Sequence, residues 1–188
     1  MASSTRSSGR GVRRKSASPP SGKPRSTGRR SADSLPVSSD FADLLSEFAA
    51  ASVRYLLVGG HAVAFHAEPR FTKDLDLWVE PTPENARRVM VALTRFGAPL
   101  QGISADDFST PGTVFQIGVA PNRVDVLTQI SGVTFAEAWP GRVSSRYGVT
   151  PVWVIGRKAL AKNKSAVGRP QDVLDVQALR RAPPSKRR

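Results

Sequence analysis

Apolar residues recur along this chain at two spacings, which predict where its helices and strands lie. An apolar stripe of Phe41, Leu44, Leu45 and Phe48 has the three-and-four spacing of a helix and predicts one over 40–52, starting after Ser38 or Ser39. A helix over 83–96 begins at a proline and has a similar stripe. Short apolar or alternating runs predict strands over 54–58, 73–79, 113–119, 123–128, 143–147 and 150–155. The other predicted helices cover 60–67, 156–166 and 170–180, and 98–112 is predicted to be a loop.

The order of these elements predicts the fold class. Helices and strands alternate through the first half, a hairpin turning at 120–122 follows, and two helices close the chain. Such an order favours an α/β fold in which helices flank a mixed β-sheet.

The pair Gly59-Gly60 follows an apolar run and precedes the short predicted helix. Glycine at the junction of a strand and a helix allows a tight turn and lets the backbone approach a ligand closely. We therefore take this junction as a candidate binding element.

Three aspartates lie on predicted strands among aliphatic neighbours. Asp74 and Asp76 are two residues apart, so on a strand they point to the same side, with Cα atoms about 6.6–7 Å apart. Asp125 has Val124 and Val126 on either side, and a carboxylate buried in an apolar strand is costly unless it is paired or binds a metal. If the two strands are neighbours, three carboxylates converge, which suits one or two Mg²⁺ ions.

The charge is distributed unevenly along the 188 residues. The net charge is +13, but residues 1–39 hold nine Lys or Arg and one acidic residue, and residues 180–188 hold five basic residues. The segment between them has fourteen of each sign and is neutral. This distribution predicts a disordered basic tail over 1–39, a folded domain over 40–180 and a basic C-terminal tail over 181–188.

Composition also bears on location and partners. The chain has no cysteine, no apolar stretch long enough to cross a bilayer and no apolar secretory segment near its start, so we expect a cytoplasmic protein without a membrane partner. A polybasic tail attracts nucleic acids or anionic membranes weakly through counterion release. The alternatives for the tail are a solubilising extension and a misassigned start codon.

Three stretches of the chain resemble a known family. They are Gly59 to His66, Arg70 to Asp76, and Asn163 to Asp172, which reads Asn-Lys-Ser-Ala-Val-Gly-Arg-Pro-Gln-Asp. Their order along the chain resembles that of the motifs in the nucleotidyltransferase superfold of polymerase-beta-like enzymes. Their local sequences are similar to those of the bacterial minimal nucleotidyltransferases grouped with AbiEii-type toxins. The resemblance implies a nucleotidyltransferase fold with C-terminal helices.

The resemblance also implies roles for the residues above. Gly59 and Gly60 would present backbone N–H groups to nucleotide phosphates at a helix N-terminus. Asp74 and Asp76 would hold Mg²⁺ on those phosphates, and Asp125 would complete the metal site and help deprotonate the attacking hydroxyl.

Basic and polar residues are expected to complement the carboxylates. Arg70 and Thr72 precede the Asp74–Asp76 segment closely enough to line the same cleft, and Lys164 and Arg169 flank the last helix junction, within reach of a triphosphate. Each of three further interpretations has an alternative. Arg169 contacts phosphate or forms an ion pair with Asp172 or Asp175. Asp172 belongs to the site or only stabilises a helix start through the helix dipole. His61 touches the nucleotide or makes a polar contact within the fold.

Two functions are therefore open. The first is a Mg²⁺-dependent transfer of a nucleoside monophosphate from an NTP to RNA, a protein hydroxyl or a small molecule. The resemblance further implies that the protein could be the toxin of a toxin–antitoxin pair, with an antitoxin as its partner. The second is a catalytically idle binding module with the same fold, which docks nucleic acid or a protein through its basic tails.

Overall fold

A seven-stranded mixed β-sheet forms the centre of the molecule, with strand order β1-β4-β5-β3-β2-β7-β6. The computed structural model describes residues 13–17 (backbone only), 38–67, 72–118 and 123–183. The strands are β1 Arg13–Ala17, β2 Tyr55–Leu57, β3 Leu75–Val79, β4 Thr113–Ile117, β5 Val124–Leu127, β6 Val143–Tyr147 and β7 Thr150–Val154. The helices are α1 Ser39–Ala50, α2 Gly59–His66, α3 Pro83–Phe96, α4 Ala105–Ser109, α5 Phe135–Ala138, α6 Arg157–Val167 and α7 Pro170–Arg181, and a 3-10 turn covers Trp139–Gly141.

The pairing of the strands confirms the predicted fold class. Strand β3 pairs parallel with β5 and antiparallel with β2, and β5 pairs antiparallel with β4, as the predicted hairpin requires. On the other side of β2, strand β7 is parallel to it and forms an antiparallel hairpin with β6. The molecule is an α/β fold in which helices flank a mixed sheet.

The two faces of the sheet differ in what covers them. Helices α1 and α3 pack together, and Phe48 of α1 meets Tyr55 of β2 edge to face at 5.5 Å. Tyr55 pairs with Val79, so this face is apolar and buried. The opposite face contains Asp76 and Asp125 at one end. The polar end of that second face is where the candidate site lies.

Helix α3 shows why its bounds could be read from the sequence. Thr82 is its N-cap and accepts a hydrogen bond from the backbone N–H of Asn85 at 3.3 Å, and Pro83 stands in the first turn. Gly97 ends the helix with φ +82°, a left-handed conformation that glycine adopts most readily. Local signals thus set both ends.

Three short helical segments were not predicted. The stretch 98–112, predicted to be a loop, contains α4, which begins with a capping box between Ser104 and Asp107. Helix α5 likewise begins with a capping box, between Thr134 and Glu137, and is followed by the 3-10 turn. Segments of three to five residues are too short to show an apolar periodicity, so pattern analysis missed them.

The basic N-terminal segment differs in part from its prediction. Disorder was predicted throughout 1–39, but Arg13–Ala17 forms strand β1, parallel to β4 at the edge of the sheet, and α1 starts at Ser39. The rest of 1–37 lies outside the described residues. So do the predicted turn at 120–122, the candidate residue Arg70, and the end of the basic C-terminal tail.

The described helices were also compared with what a membrane span requires. None of them is both long enough and apolar enough to cross a bilayer.

Candidate functional site

Asp76 and Asp125 face each other across two neighbouring parallel strands. Asp76 of β3 is the register partner of Asp125 of β5, so their side chains project from the same face of the sheet. The pairing of β3 with β5 brings together two carboxylates that are 49 positions apart in the sequence. This is the convergence that the sequence predicted for these two residues.

The glycine pair lies directly against this carboxylate pair. Gly59 begins α2 with φ +61°, and a Cβ atom placed on it would lie 1.9 Å from Oδ2 of Asp76. The Val58 N–H donates to the carbonyl oxygen of Asp76 at 3.0 Å, which ties the strand-to-helix turn to β3. A residue larger than glycine cannot occupy position 59 without displacing the Asp76 carboxylate.

The third predicted carboxylate, Asp74, lies just before β3 and is paired with an arginine. The Arg123 guanidinium donates to Oδ2 of Asp74 at 2.8 Å, and its Nε lies 3.1 Å from Oδ1 of Asp125. Arg123 thereby bridges two of the three aspartates that were predicted to hold a metal. Its side chain is about one-third exposed (35%), whereas that of Asp125 is 12% exposed.

The carboxylates raise one another's energy when they are ionised. Burial, followed by the nearby charges of Asp125 and Asp74, raises the pKa of Asp76 to about 6 against the opposing effect of Lys164 and Arg123. A positive charge placed between these carboxylates would relieve the repulsion. The site is thus electrostatically prepared for a cation.

Gln116 supports Asp125 from the third strand of this part of the sheet. It is the register partner of Asp125 across the β4–β5 hairpin, and its side-chain amide donates to Oδ1 of Asp125 at 3.1 Å. The same Oδ1 atom is the one that faces Arg123. Asp125 is therefore held in orientation from two sides.

The donor set suits a hard divalent cation, although a complete site is not assembled. All the ligands predicted from the sequence are carboxylates, the kind of oxygen donor that Mg²⁺ prefers. In the described ranges, no group of three or more His, Asp or Glu side chains is arranged to hold a metal ion. The ion pairs of Arg123 with Asp74 and Asp125 give a physical reason: these carboxylates are oriented toward the guanidinium.

The carboxylates open into a cleft of about 1560 Å³. Its lining comes from the α2 turn, the β3–β5 strands, the region of α4 and the α6–α7 junction. Of the sequence-predicted site residues, it includes Gly59, Gly60, Thr72, Asp74, Asp76, Asp125, Lys164, Arg169 and Asp172. The structure therefore gathers nearly all of the predicted residues around one space, which is large enough for a nucleotide and part of an acceptor.

Lys164 has partners that the sequence analysis did not assign to it. Its Nζ lies 2.7 Å from Oδ1 of Asp172 and 3.0 Å from Oδ2 of Asp175, and all three side chains are largely buried. The helix-dipole alternative for Asp172 is thus incomplete, because its carboxylate also pairs with Lys164. Gln171 donates a further hydrogen bond to Asp175 at 3.2 Å. The contact predicted between Lys164 and a triphosphate is not tested by this arrangement and stays a prediction.

The remaining polar candidates lie at the rim of the cleft. Arg169 is 77% exposed, with its Nε 3.7 Å from Asp172, so the ion pair anticipated as one of its two roles is present while the guanidinium remains accessible. The Thr72 hydroxyl donates to the carbonyl oxygen of Asp74 at 3.5 Å. Arg70 is outside the described residues, and its contribution stays a prediction.

His61 packs into the interior. Its ring lies edge-on to Phe41 at 6.3 Å and to Tyr147 at 6.1 Å, it is 5% exposed, and it is not among the residues that line the cleft. This environment favours the interpretation that His61 contributes to the fold rather than to nucleotide contact.

Two site residues, Arg123 and Gln116, were missed by the sequence analysis. Arg123 precedes Asp125 by two residues and so projects from the same side of the chain, which was a usable signal. Gln116 could be found only by counting the hairpin register outward from the turn at 120–122. A polar residue two positions from a candidate ligand therefore warrants the same scrutiny as the ligand itself.

Comparisons with known proteins add one finding. No protein-family model and no curated protein matches the chain. Among the solved structures, the chain is similar to the lincomycin-bound crystal structure of the lincosamide antibiotic adenylyltransferase LnuA, with 13% sequence identity and a TM-score of 0.48. The match covers 77% of this chain and 98% of that one. At this level of similarity, function has to be argued from the chain's own residues, and the resemblance to AbiEii-type proteins stays a prediction.

Proposed function

We propose that this protein is a nucleotidyltransferase that uses Mg²⁺ to move a nucleoside monophosphate from an NTP to an acceptor hydroxyl. The observation that carries the proposal is the register pairing of Asp76 with Asp125 on one sheet face, with the Gly59 turn packed against them. A carboxylate pair next to a glycine-lined helix start offers a place for a cation and, beside it, a place for phosphates.

The reaction is an in-line displacement at the α-phosphorus of the NTP. The acceptor oxygen forms a bond to this phosphorus, the bond from phosphorus to the oxygen bridging the α- and β-phosphates breaks, and pyrophosphate leaves with the bonding electron pair. The hydroxyl proton passes to a carboxylate oxygen of the site. Little covalent chemistry is asked of the protein, because positioning and charge stabilisation account for most of such catalysis.

The chain's own residues divide this work among them. Gly59 and Gly60 form the first turn of α2, whose N–H groups have no acceptors within the helix and suit phosphate oxygens. Asp76 and Asp125 would hold Mg²⁺ together with Asp74, and the ion, when bound, would neutralise phosphate charge and stabilise the leaving pyrophosphate. Asp125, which accepts a hydrogen bond from Gln116, would accept the hydroxyl proton.

The acceptor is the open part of the proposal. RNA, a protein hydroxyl and a small molecule all provide the required nucleophile. A role as the toxin of a toxin–antitoxin pair is the narrower form of this proposal. It predicts that a small regulator is encoded next to this protein.

One observation favours the second candidate function, an idle binding module. Arg123 already forms ion pairs with Asp74 and Asp125, so two of the three carboxylates share a cation partner within the chain. In a protein that never binds a metal, such pairs would be permanent parts of the structure.

A labelling experiment separates the two functions. Purified protein is incubated with Mg²⁺, each of four NTPs labelled at the α-phosphate, and cell extract, and label is followed on RNA, protein and small molecules. The proposal expects label that is lost in Asp76→Asn and in Asp125→Asn but kept in Asp43→Asn, an exposed carboxylate of α1. Absence of label with every NTP and extract fraction would contradict the enzyme and favour the binding module.

A further inference from the structure

Arg123 lies between Asp74 and Asp125, two of the three carboxylates of the site. It immediately precedes β5, two residues before Asp125, and its guanidinium reaches from Asp125 at 3.1 Å to Asp74 at 2.8 Å. A second cation of the cleft, Lys164, is bound by Asp172 and Asp175, and these three buried groups sum to a charge of −1.

We infer that Arg123 is an exchangeable internal cation. In the metal-free protein it holds Asp74 and Asp125, a divalent cation displaces it from them, and the released guanidinium then binds the phosphates of the nucleotide in the same cleft. This inference rests on the proposed function, because it assigns Arg123 a role in metal and nucleotide binding at that site.

The competition between arginine and metal follows from the atoms involved. Guanidinium N–H groups and a hard cation seek the same carboxylate oxygens, and Arg123 uses one oxygen of each aspartate. A divalent ion has twice the charge and takes several oxygen ligands at once, so it outcompetes a single guanidinium. The ion pairs are partly exposed to water, which keeps each of them weak enough to be broken.

The second role follows from where the released side chain lies. Arg123 lines the same cleft as Gly59, Gly60 and Asp76. Once a metal holds Asp74 and Asp125, the triphosphate of a bound nucleotide, with several negative charges, is an anionic partner for Arg123 within the same cleft. The planar fork of arginine matches two phosphate oxygens, which a lysine ammonium does not.

The test measures two affinities in the full-length protein and in Arg123→Gln. Mn²⁺ binding without nucleotide is followed by electron paramagnetic resonance of the free ion, and binding of a non-hydrolysable NTP analogue at saturating Mn²⁺ is followed by calorimetry. We expect Arg123→Gln to bind Mn²⁺ about tenfold more tightly, since it removes a competitor held by two partly exposed ion pairs. We expect it to bind the nucleotide about tenfold more weakly, since a charge-assisted contact to phosphate is lost.

Two further variants and a folding check sharpen the result. Arg146→Gln makes the same change of charge on β6, at the far edge of the sheet, and should alter neither affinity. Arg123→Lys keeps the charge but not the fork and should fall between the wild type and Arg123→Gln in both measurements. Urea denaturation establishes that each variant is folded.

The outcomes distinguish this inference from the proposed function. Unchanged or weaker Mn²⁺ binding in Arg123→Gln overturns the exchange, and if wild-type transfer activity is nevertheless present, the proposed function survives. Unchanged nucleotide affinity overturns the second role of Arg123. A wild-type protein that binds neither Mn²⁺ nor nucleotide overturns both the inference and the enzyme.

Discussion

Gly59 and Asp76 are packed so closely that a Cβ atom on the glycine would lie 1.9 Å from the Asp76 carboxylate. The turn that starts α2 and the carboxylate that faces Asp125 therefore form one unit. Any change that enlarges residue 59 acts directly on the candidate metal ligand, and any movement of Asp76 acts on the turn proposed to bind phosphate.

The first prediction concerns Gly59→Ala, with Gly97→Ala as its matched control. Both glycines have positive φ angles, +61° and +82°, but a Cβ atom on Gly97 would meet nothing within 4 Å. We expect Gly97→Ala to lower the free energy of unfolding by about 1 kcal/mol, and Gly59→Ala by a further 1–3 kcal/mol or so because of the clash. Urea denaturation measures both, and nucleotide binding should be lost only in Gly59→Ala. Equal losses in the two variants would contradict the close packing.

The second prediction concerns pH and Asp76 in metal-free buffer with EDTA. The pKa of Asp76 is raised to about 6 by burial and by Asp125 and Asp74, with Lys164 and Arg123 opposing. Between about pH 4 and 6 the folded protein thus holds a proton that the unfolded chain has released, so this group's contribution to stability falls as pH rises.

Asp76→Asn removes that dependence. We expect the variant to match the wild type below about pH 4 and to exceed it at pH 8 by on the order of 3 kcal/mol in the free energy of unfolding. Urea denaturation across this pH range is the measurement, with Asp43→Asn as the control for the amide substitution. A variant less stable than the wild type at pH 8 would show that the Asp76 charge is not under strain.

The third prediction separates the two roles considered for Lys164. Replacing it with methionine removes Lys164 from its buried ion pairs with Asp172 and Asp175, and breaking a buried pair in this way costs about 3–5 kcal/mol. We expect this loss in urea denaturation without any ligand, and little change in Lys158→Met, an exposed lysine of the same helix. Unchanged stability combined with weaker nucleotide binding would instead favour the triphosphate contact that the sequence suggested.

The fourth prediction concerns Asn85, a buried amide that joins the start of β2 to the end of β3. Its side chain accepts from the Arg54 N–H at 2.7 Å and donates to the carbonyl oxygens of Arg54 and Glu80 at 2.9 and 3.0 Å. Asn85→Ala leaves these backbone groups without that partner and should cost about 2–4 kcal/mol. Thr94→Ala, on an exposed part of α3, should cost less than about 1 kcal/mol. Thermal denaturation compares the two variants, and similar melting temperatures would contradict a stabilising role for the Asn85 hydrogen bonds.

The long elements were predictable because their signals are local and repeated. Helices α1 and α3 bury stripes that recur over more than two turns, and Gly97 ends α3 through its own backbone preference. The five residues of α4 and the four of α5 depend on a single capping box each, and one box among many polar residues does not stand out in a sequence.

By itself, the sequence determined which side of its own strand or helix each residue occupies, because the side-chain period of an element depends only on local backbone geometry. That was enough to select Asp74, Asp76 and Asp125 and the glycine turn. The partners of these residues depend on tertiary contacts. Asp76 faces Asp125 across two strands, and Arg123 bridges two aspartates. Lys164 is held by Asp172 and Asp175. Such pairs depend on strand register and on the packing of helices against one another, and both are set by contacts between residues far apart in the chain.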